Sequence, residues 1–271
     1  MPAAPRNPAV TSDADLLAQT ETAVRTAGAA LRDRFGDVVP YGSFDELMRA
    51  LAANDDAVLD VLRPRLTDLR PDARWVEEEL DGGALPDGEW WVVDPAEGNV
   101  NHLHGLSDWA VTATLVRDNQ PVLTVVHLPL TGETYTALVG AGAHLDGRPL
   151  HVSRTPELGL GIVATSQARP DEDEKVVRRV GASITEMLVD ALVVRTSVPA
   201  TLHLVNVAAG RIEAFWQFAG ARADLLPGVL LVTEAGGRIS DVEGRPWTPQ
   251  SESFLAAAPA VHAAAVATLS R

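Results

Sequence analysis

Two acidic residues, Asp94 and Glu97, lie three positions apart directly after an apolar run in WVVDPAEGNVNH, residues 91–102. A carboxylate at the end of a buried segment lies at the rim of a core, where an uncompensated charge is costly or shifts its pKa. An Asp-Pro-x-Glu turn can direct both carboxylates and the Ala96 carbonyl toward one point. All-oxygen ligation of this kind suits Mg²⁺ or Mn²⁺ rather than zinc. The same residues also fit an ordinary solvated turn, so both readings stay open.

Acidic residues gather at the ends of two other apolar segments. Glu77 and Glu78 belong to a run of three acids after a short strand-like stretch, and Asp224 opens a later helical segment. A run of acids before an Asp-Gly-Gly loop is also typical of a solvated turn. If the three groups meet in space, they could form one oxygen-ligand site for a divalent cation.

Gly98 and Asn99 follow the second acid and suggest a phosphate site. If a helix begins after Glu97, its first N–H groups and its dipole point at whatever binds there, and phosphate is a natural ligand. Cations beside such a site are used repeatedly to handle phosphate esters. A plain helix cap explains the same residues. His102 and His104 nearby fit a pocket-lining role, a transition-metal site or a catalytic acid or base.

The composition restricts the class of protein and its partners. The chain has 271 residues, 46% hydrophobic and 22% charged, as in an ordinary globular protein. Its net charge of −15 at pH 7 argues against nucleic acid or an anionic membrane as the main partner. A phosphorylated substrate remains compatible, because a bound cation can invert the local field. With no cysteine in the chain, a reducing cytoplasm is the simplest compartment.

The pattern along the chain predicts helices and strands that must position these residues. Residues 1–11 are expected to be a disordered lead-in, followed by a helix to about Phe35 and a second helix, 45–69, interrupted near Asn54. A buried strand ends at Asp94, and turn signals then separate the strands of an antiparallel meander. From residue 159 onward, strands and helices alternate. This mixture predicts an α/β (α+β) fold of two sheets with helices between and outside them.

Two stretches of the sequence resemble the signatures of the inositol monophosphatase family. DPAEGNVNHLHGLSDWAVTATLV is similar to the family's first signature, an Asp-Pro-x-Asp-Gly-Thr-x-Asn-Phe stretch, and ADLLPGVLLVTEAGGRISD to its second, Trp-Asp-x-Ala-Ala-Gly leading into Glu-Ala-Gly-Gly. The resemblance implies a layered αβαβα sandwich of the inositol monophosphatase and fructose-1,6-bisphosphatase type. It covers 12–271 as a single domain, with an N-terminal half to about residue 155 that holds the antiparallel sheet and a C-terminal α/β half, 156–271.

The resemblance also implies roles for individual residues. Metal ligands would be Glu78, Asp94, the Ala96 carbonyl, Glu97 and Asp224. Phosphate would contact the N–H groups of Gly98 and Asn99, while Asp55, Asn99 and Glu78 would handle the attacking water. The implied reaction is hydrolysis of a small-molecule phosphate monoester by a metal-activated water, with two or three Mg²⁺ ions or with Mn²⁺. By family analogy the protein is expected to be a homodimer.

Several residues depart from the family pattern near this site. Glu97 replaces an Asp, Asn99 replaces a Thr whose hydroxyl relays a proton, and Glu77 stands where Gly is usual. Ala200 lies in an altered polyol-contacting stretch, and Gln217 replaces a substrate-binding Glu. An amide cannot relay a proton as a hydroxyl does. Hydrolysis is the leading function. The alternatives are a lyase, cyclase or transferase that reuses the fold, and a catalytically silent binding relative.

Overall fold

The computed structural model describes residues 12–36, 38, 40–76, 83–168, 172–218 and 222–271, which contain seven α-helices and twelve strands. The predicted lead-in 1–11 and the predicted site residues Glu77 and Glu78 lie outside these ranges. The helices are α1 (Asp13–Asp33), α2 (Phe44–Leu69), α3 (Asn99–Leu103), α4 (Glu174–Asp190), α5 (Ala200–Ala208), α6 (Arg222–Glu234) and α7 (Pro259–Leu269). The strands are β1 (Arg74–Trp75), β2 (Glu89–Glu97), β3 (Ala110–Arg117), β4 (Gln120–His127), β5 (Thr134–Leu138), β6 (Gly142–Leu145), β7 (Arg148–Pro149), β8 (Ile162–Thr165), β9 (Val193–Thr196), β10 (Ala214–Phe218), β11 (Arg238–Ser240) and β12 (Ser253–Ala257).

The first two helices begin at polar caps. The Ser12 hydroxyl accepts a hydrogen bond from the Asp15 backbone N–H at 3.1 Å, and Ser43 caps α2 in the same way. The expected interruption of the second helix near Asn54 is wrong, because α2 continues through that residue. The Asn54 side chain is buried and bonds to groups on other elements, so it does not compete for the backbone of its own helix.

The predicted antiparallel meander is confirmed in the first sheet. Its seven strands lie in sequence order from β1 to β7, and every neighbouring pair is antiparallel except β1 with β2. The β3–β4 turn places Asp118 and Asn119 at φ values of 49° and 64°. Both central residues are thus in the left-handed region, as in the turns that join tightly paired hairpin strands.

The second sheet has the order β11-β12-β10-β8-β9. Strands β8, β9 and β10 are parallel, whereas β12 runs antiparallel to both β10 and β11. The alternation predicted from residue 159 accounts for these strands except β11. That strand is only three residues long, Arg238–Ser240, and has no clear apolar alternation.

The layers follow from the faces that each sheet buries. One face of the first sheet packs against α1 and α2 around Trp91 and Trp109. Its other face shares a core with α5, α6 and the second sheet, in which Tyr135, Leu204 and Phe215 are buried. The remaining face of the second sheet packs against α4 and α7. The order helix, sheet, helix, sheet, helix is the predicted αβαβα sandwich.

The division into an N-terminal and a C-terminal half near residue 155 stays a prediction. The strands of the first sheet precede it and those of the second follow it, and residues of both sheets line the core between them. Among the described residues, no helix combines the length and the apolar character that a membrane span requires.

Candidate metal and phosphate site

Strand β2 delivers two of the predicted acids to one place through a change of register. The sequence predicted that the strand ends at Asp94, but β2 continues to Glu97, with a shift in its pairing to β3 between these two residues. In a regular strand, residues three apart point to opposite faces. The irregularity reorients the chain so that both carboxylates reach the same site. Asp94 is also held locally, since its Oδ1 accepts from the Ala96 N–H at 3.0 Å.

Three carboxylates converge at this end of β2. One oxygen from each of Asp94, Glu97 and Asp224 lies within 4.8 Å of the other two. Asp224 belongs to the first turn of α6, so two elements far apart in sequence supply the group. Glu97 is only 3% exposed. Burying negative charge beside other carboxylates is unfavourable without a compensating cation.

A threonine hydroxyl joins the carboxylate group to its surroundings. Thr201, at the start of α5, is fully buried, and its Oγ1 lies 2.7 Å from Glu97 Oε2. The same hydroxyl lies 2.7 Å from the backbone carbonyl oxygen of Asp224. The side chain of Thr201 therefore contacts both β2 and α6 at the point where they supply their acids.

Gly98 makes the turn from β2 into α3, as predicted for a helix that begins after Glu97. Its φ is 82°, a left-handed conformation that favours glycine. A Cβ atom at this position would lie 2.5 Å from the Asp108 carbonyl oxygen and 3.1 Å from the Pro199 ring. The helix that follows has only five residues, so its leading N–H groups matter more than a macrodipole.

Asn99 is the centre of a hydrogen-bond network between α3 and α2. Its Nδ2 donates to Asp55 Oδ1 at 2.8 Å and to the Leu51 carbonyl at 3.1 Å. Its Oδ1 accepts from Asn54 Nδ2 at 2.8 Å. Arg34 Nε in turn donates to Asn54 Oδ1 at 2.7 Å. Both the oxygen and the nitrogen of the Asn99 amide therefore have partners. One of these partners is Asp55, which was predicted to handle the attacking water.

Asp55 has an unusual proton affinity for a carboxyl group. Burial raises its pKa from 3.8 to about 6, the Asn99 hydrogen bond opposes this, and the nearby negative charge of Asp56 adds to it. A group with a pKa near neutrality can accept a proton and release it again close to physiological pH. This pKa makes Asp55 a candidate general base.

The two histidines of the motif are held by hydrogen bonds. His102 is buried against Phe35 and Trp109, its Nε2 donates to the Leu31 carbonyl at 3.0 Å, and its Nδ1 accepts from Asn54 at 3.1 Å. Burial lowers the pKa of His102, which favours the neutral ring. His104 lies at the end of α3 with Nδ1 bonded to the Val100 carbonyl. The bonds of His102 leave neither of its ring nitrogens for a metal. A pocket-lining role for the two residues stays a prediction.

Two further predicted residues lie at the ends of secondary-structure elements. Gln217, near the end of β10, accepts a 2.7 Å hydrogen bond from the Ser166 hydroxyl, which follows the parallel strand β8. Ala200 is the buried first residue of α5 and follows Val198 and Pro199, which are joined by a cis peptide bond.

Sequence reasoning missed the polar residues that support the site. Asn54 could have been recognised, because it occupies a position in α2 that continues the buried series Val58, Leu62 and Leu66. Thr201 gave no comparable signal, since its carboxylate partner is 104 positions away. The structure brings Asp94, Glu97 and Asp224 into one group, with Gly98 beside it and Asn99 bonded to Asp55.

Comparison with known proteins identifies the family. The model of the inositol monophosphatase family matches residues 13–271. An inositol-1-monophosphatase of Rhizobium meliloti is 32% identical over 231 residues, which cover 82% of this chain and 84% of that protein. Inositol monophosphatase 3 of tomato, Solanum lycopersicum, is 30% identical over 230 residues, with the same coverage of 82% and 84%. The structure of an inositol monophosphatase from Anabaena superposes with a TM-score of 0.79 at 25% identity, covering 94% of each chain. The chain belongs to the inositol monophosphatase family.

Proposed function

We propose that this protein hydrolyses the phosphate monoester of a small molecule in a Mg²⁺-dependent reaction. The observation that carries the proposal is the meeting of the Asp94, Glu97 and Asp224 carboxylates within 4.8 Å of one another, beside the glycine turn into α3. Membership of the inositol monophosphatase family, with its relatives named inositol monophosphatases, supports the same reaction class. Inositol, sugar and nucleotide monophosphates are the substrate classes that we propose.

The donor set fits a hard divalent cation. Carboxylate oxygens are the ligands that Mg²⁺ and Mn²⁺ prefer, and a divalent cation would offset the negative charge of the buried Glu97 carboxylate. Asp94, Glu97 and Asp224 would hold the metal, and we propose the Ala96 carbonyl and Glu78 as further ligands for two or three ions. Bound Mg²⁺ supplies Lewis-acid stabilisation of phosphate oxygens and lowers the pKa of water.

The turn after Glu97 is suited to hold the phosphate group. Gly98 brings the backbone close to Asp108 and Pro199, where any side chain would collide, and α3 begins at the next residue. The first N–H groups of a helix have no partner within the helix. Backbone N–H groups hold phosphate without adding side-chain bulk. We therefore propose that the N–H groups of Gly98 and Asn99 contact the phosphate of the substrate.

The acid–base role falls on Asp55 in this proposal. Asn99 cannot relay a proton as a hydroxyl would, but its Nδ2 fixes Asp55 Oδ1 at 2.8 Å. The raised pKa of about 6 makes that carboxylate a stronger proton acceptor than an exposed Asp. Asp55 would then take the proton from the attacking water directly, with Asn99 as the group that orients it.

The proposed substrate side of the site is less acidic than the polyol pocket that the family resemblance implies. We propose that the neutral Gln217 and the apolar segment Val198, Pro199 and Ala200 contact the organic part of the substrate. The Gln217 carbonyl oxygen is already bonded to Ser166, which fixes the direction of its amide group. An amide in place of a carboxylate removes a negative charge from the pocket, so repulsion of an anionic substrate is reduced.

Exposed apolar residues support the proposal of a homodimer. Leu188, Val189 and Leu192 are 62%, 74% and 64% exposed where α4 leads into β9, the edge strand of the second sheet. Apolar residues clustered at an open sheet edge are typical of an interaction surface.

We also propose a cytoplasmic location, which the absence of cysteine from the chain supports.

Substitution of Asn99 by Ala tests the orienting role of the amide. We expect kcat to fall about 10- to 100-fold, because Asp55 loses the donor that fixes it, while KM changes little. Val100→Ala, an exposed position in the same short helix, serves as the matched control and is expected to leave kcat unchanged. Steady-state phosphate release measures both variants. If Asn99→Ala retains the wild-type kcat, Asp55 is positioned by other groups.

A panel of phosphate monoesters tests the function itself. With Mg²⁺ present, we expect phosphate release from at least one inositol, sugar or nucleotide monophosphate, and none after chelation of the metal.

A second candidate function is an elimination, cyclisation or transfer at the same site, which is favoured by the replacement of the relaying hydroxyl with Asn99. Release of no phosphate from the whole panel, together with measurable Mg²⁺ binding, would favour a transfer, or a cyclisation that retains the phosphate, whereas elimination would still release phosphate.

A further inference from the structure

We propose that Thr201 is a positioning residue whose hydroxyl fixes the Glu97 carboxylate for cation binding. This inference rests on the proposed function, because it takes the group of Asp94, Glu97 and Asp224 to be a metal site. The sequence pattern gives Thr201 no role, since it lies in an otherwise apolar helical segment, ATLHLVNVA.

The Thr201 hydroxyl bonds to one carboxylate of the group and to the backbone of the residue that carries another. Its side chain is fully buried, and its Oγ1 lies 2.7 Å from both Glu97 Oε2 and the Asp224 carbonyl oxygen. A hydroxyl has one proton, so the two acceptors share it in a three-centre arrangement. A buried hydroxyl placed between two acceptors in this way is held in a single orientation.

The length of the Glu97 side chain explains why such a contact is needed. Glu has one more rotatable bond than Asp, so its carboxylate reaches farther and is less fixed by the backbone. Mg²⁺ demands nearly ideal octahedral geometry from its ligands. Because Thr201 holds one oxygen of Glu97, it also fixes the plane of the carboxylate and the direction of the second oxygen. The hydroxyl thereby compensates for the added methylene group.

The Asp224 contact couples the same hydroxyl to the second acidic element. Helices α5 and α6 pack closely here, since a Cβ atom at Gly228 of α6 would collide with the Leu204 side chain of α5. This close approach lets Thr201 on α5 reach the backbone of Asp224 on α6. One buried side chain thus sets the spacing between Glu97 and the turn that carries Asp224.

Metal affinity, measured without substrate, tests the inference. We expect Thr201→Val, which removes the hydroxyl but keeps the shape, to weaken Mn²⁺ binding about 10-fold or more in a calorimetric titration. Thr201→Ser keeps the hydroxyl and is expected to bind within about threefold of the wild type. Thr268→Val is the matched control, because Thr268 is also buried and contacts the Asp190 carboxylate and a backbone carbonyl far from the site. Its Mn²⁺ affinity is expected to be unchanged. Thermal denaturation verifies folding, and Thr201→Ala replaces the valine variant if that variant does not fold.

The outcomes separate this inference from the proposed function. Equal Mn²⁺ affinity in the wild type and Thr201→Val, or a Thr201→Ser variant as weak as Thr201→Val, would overturn the role of the hydroxyl and leave the phosphatase proposal intact. A wild type that binds Mn²⁺ but releases no phosphate would contradict the proposed function, while the affinities of the variants would still decide the role of Thr201. A wild type that binds no Mn²⁺ would overturn both.

Discussion

Asp94→Asn is expected to abolish both Mn²⁺ binding and phosphate release, with kcat/KM at least about 10³-fold below the wild type. Asp94 lies at the start of the irregularity in β2 that precedes Glu97, and its Oδ1 accepts a hydrogen bond from the Ala96 N–H. An amide keeps this local hydrogen bond but provides a much weaker ligand. Calorimetry and a phosphate assay on the same preparation measure the two effects.

The same substitution has an opposite effect on the metal-free protein. Three carboxylates within 4.8 Å of one another repel when no cation is bound. Removing one charge should therefore stabilise the chelated protein by about 1 kcal/mol, a rise in Tm of about 2 °C. Asp87→Asn, at an exposed position before β2, is the control and should change neither Tm nor activity. A variant that keeps wild-type Mn²⁺ affinity would show that Asp94 is not a ligand.

Asp55→Asn is expected to lower kcat about 10²- to 10⁴-fold and to make the metal-free protein more stable at neutral pH. Asparagine can still accept the hydrogen bond from Asn99 through its Oδ1, so the local structure should be kept. It cannot take a proton from water. The gain in stability follows from the pKa of Asp55, which burial raises to about 6 in the folded protein.

The pH dependence of this gain has a definite sign. A carboxyl group whose pKa is raised on folding contributes stability that is fully present below 3.8, its unfolded value, and that is lost as the pH rises through about 6. At pH 8 the wild type therefore carries a penalty that Asp55→Asn lacks, about 1 kcal/mol once partial exposure is allowed for. Near pH 4 most of this difference should be lost, because Asp55 is then protonated in the folded wild type. Thermal denaturation in the presence of a chelator at both pH values measures this difference. A variant less stable than the wild type at pH 8 would contradict the account.

The sequence was sufficient for the fold because its signals are local. Alternating apolar residues and turn pairs such as Asp118-Asn119 predict the meander, and the later alternation of strands and helices predicts the second sheet. The irregular pairing of β2 could not be predicted from the local sequence. An apolar run that ends in Asp-Pro is as compatible with the end of a strand as with a bulge inside one. The prediction of a break in α2 was wrong for a related reason, since the partners of Asn54 come from other elements.

The candidate site was predictable where the residues themselves carry the chemistry. Asp94, Glu97 and Asp224 could be named from their types and from the family resemblance, and they converge in the structure. The supporting contacts could not be named, because hydrogen bonds between residues about 45 and 104 positions apart, such as those of Asn54 and Thr201, depend on how the layers pack. Sequence pattern identifies ligands more readily than it identifies the groups that orient them.

The origin of the oxygen in released phosphate tests the central claim most directly. In water enriched in ¹⁸O and with Mg²⁺ present, hydrolysis by attack of water on phosphorus places one solvent oxygen in each phosphate. Our account predicts this label for the wild type and no release of phosphate after chelation or in Asp94→Asn. Phosphate released without solvent oxygen would indicate elimination or cyclisation, and release that persists in the chelator would contradict a metal-dependent site.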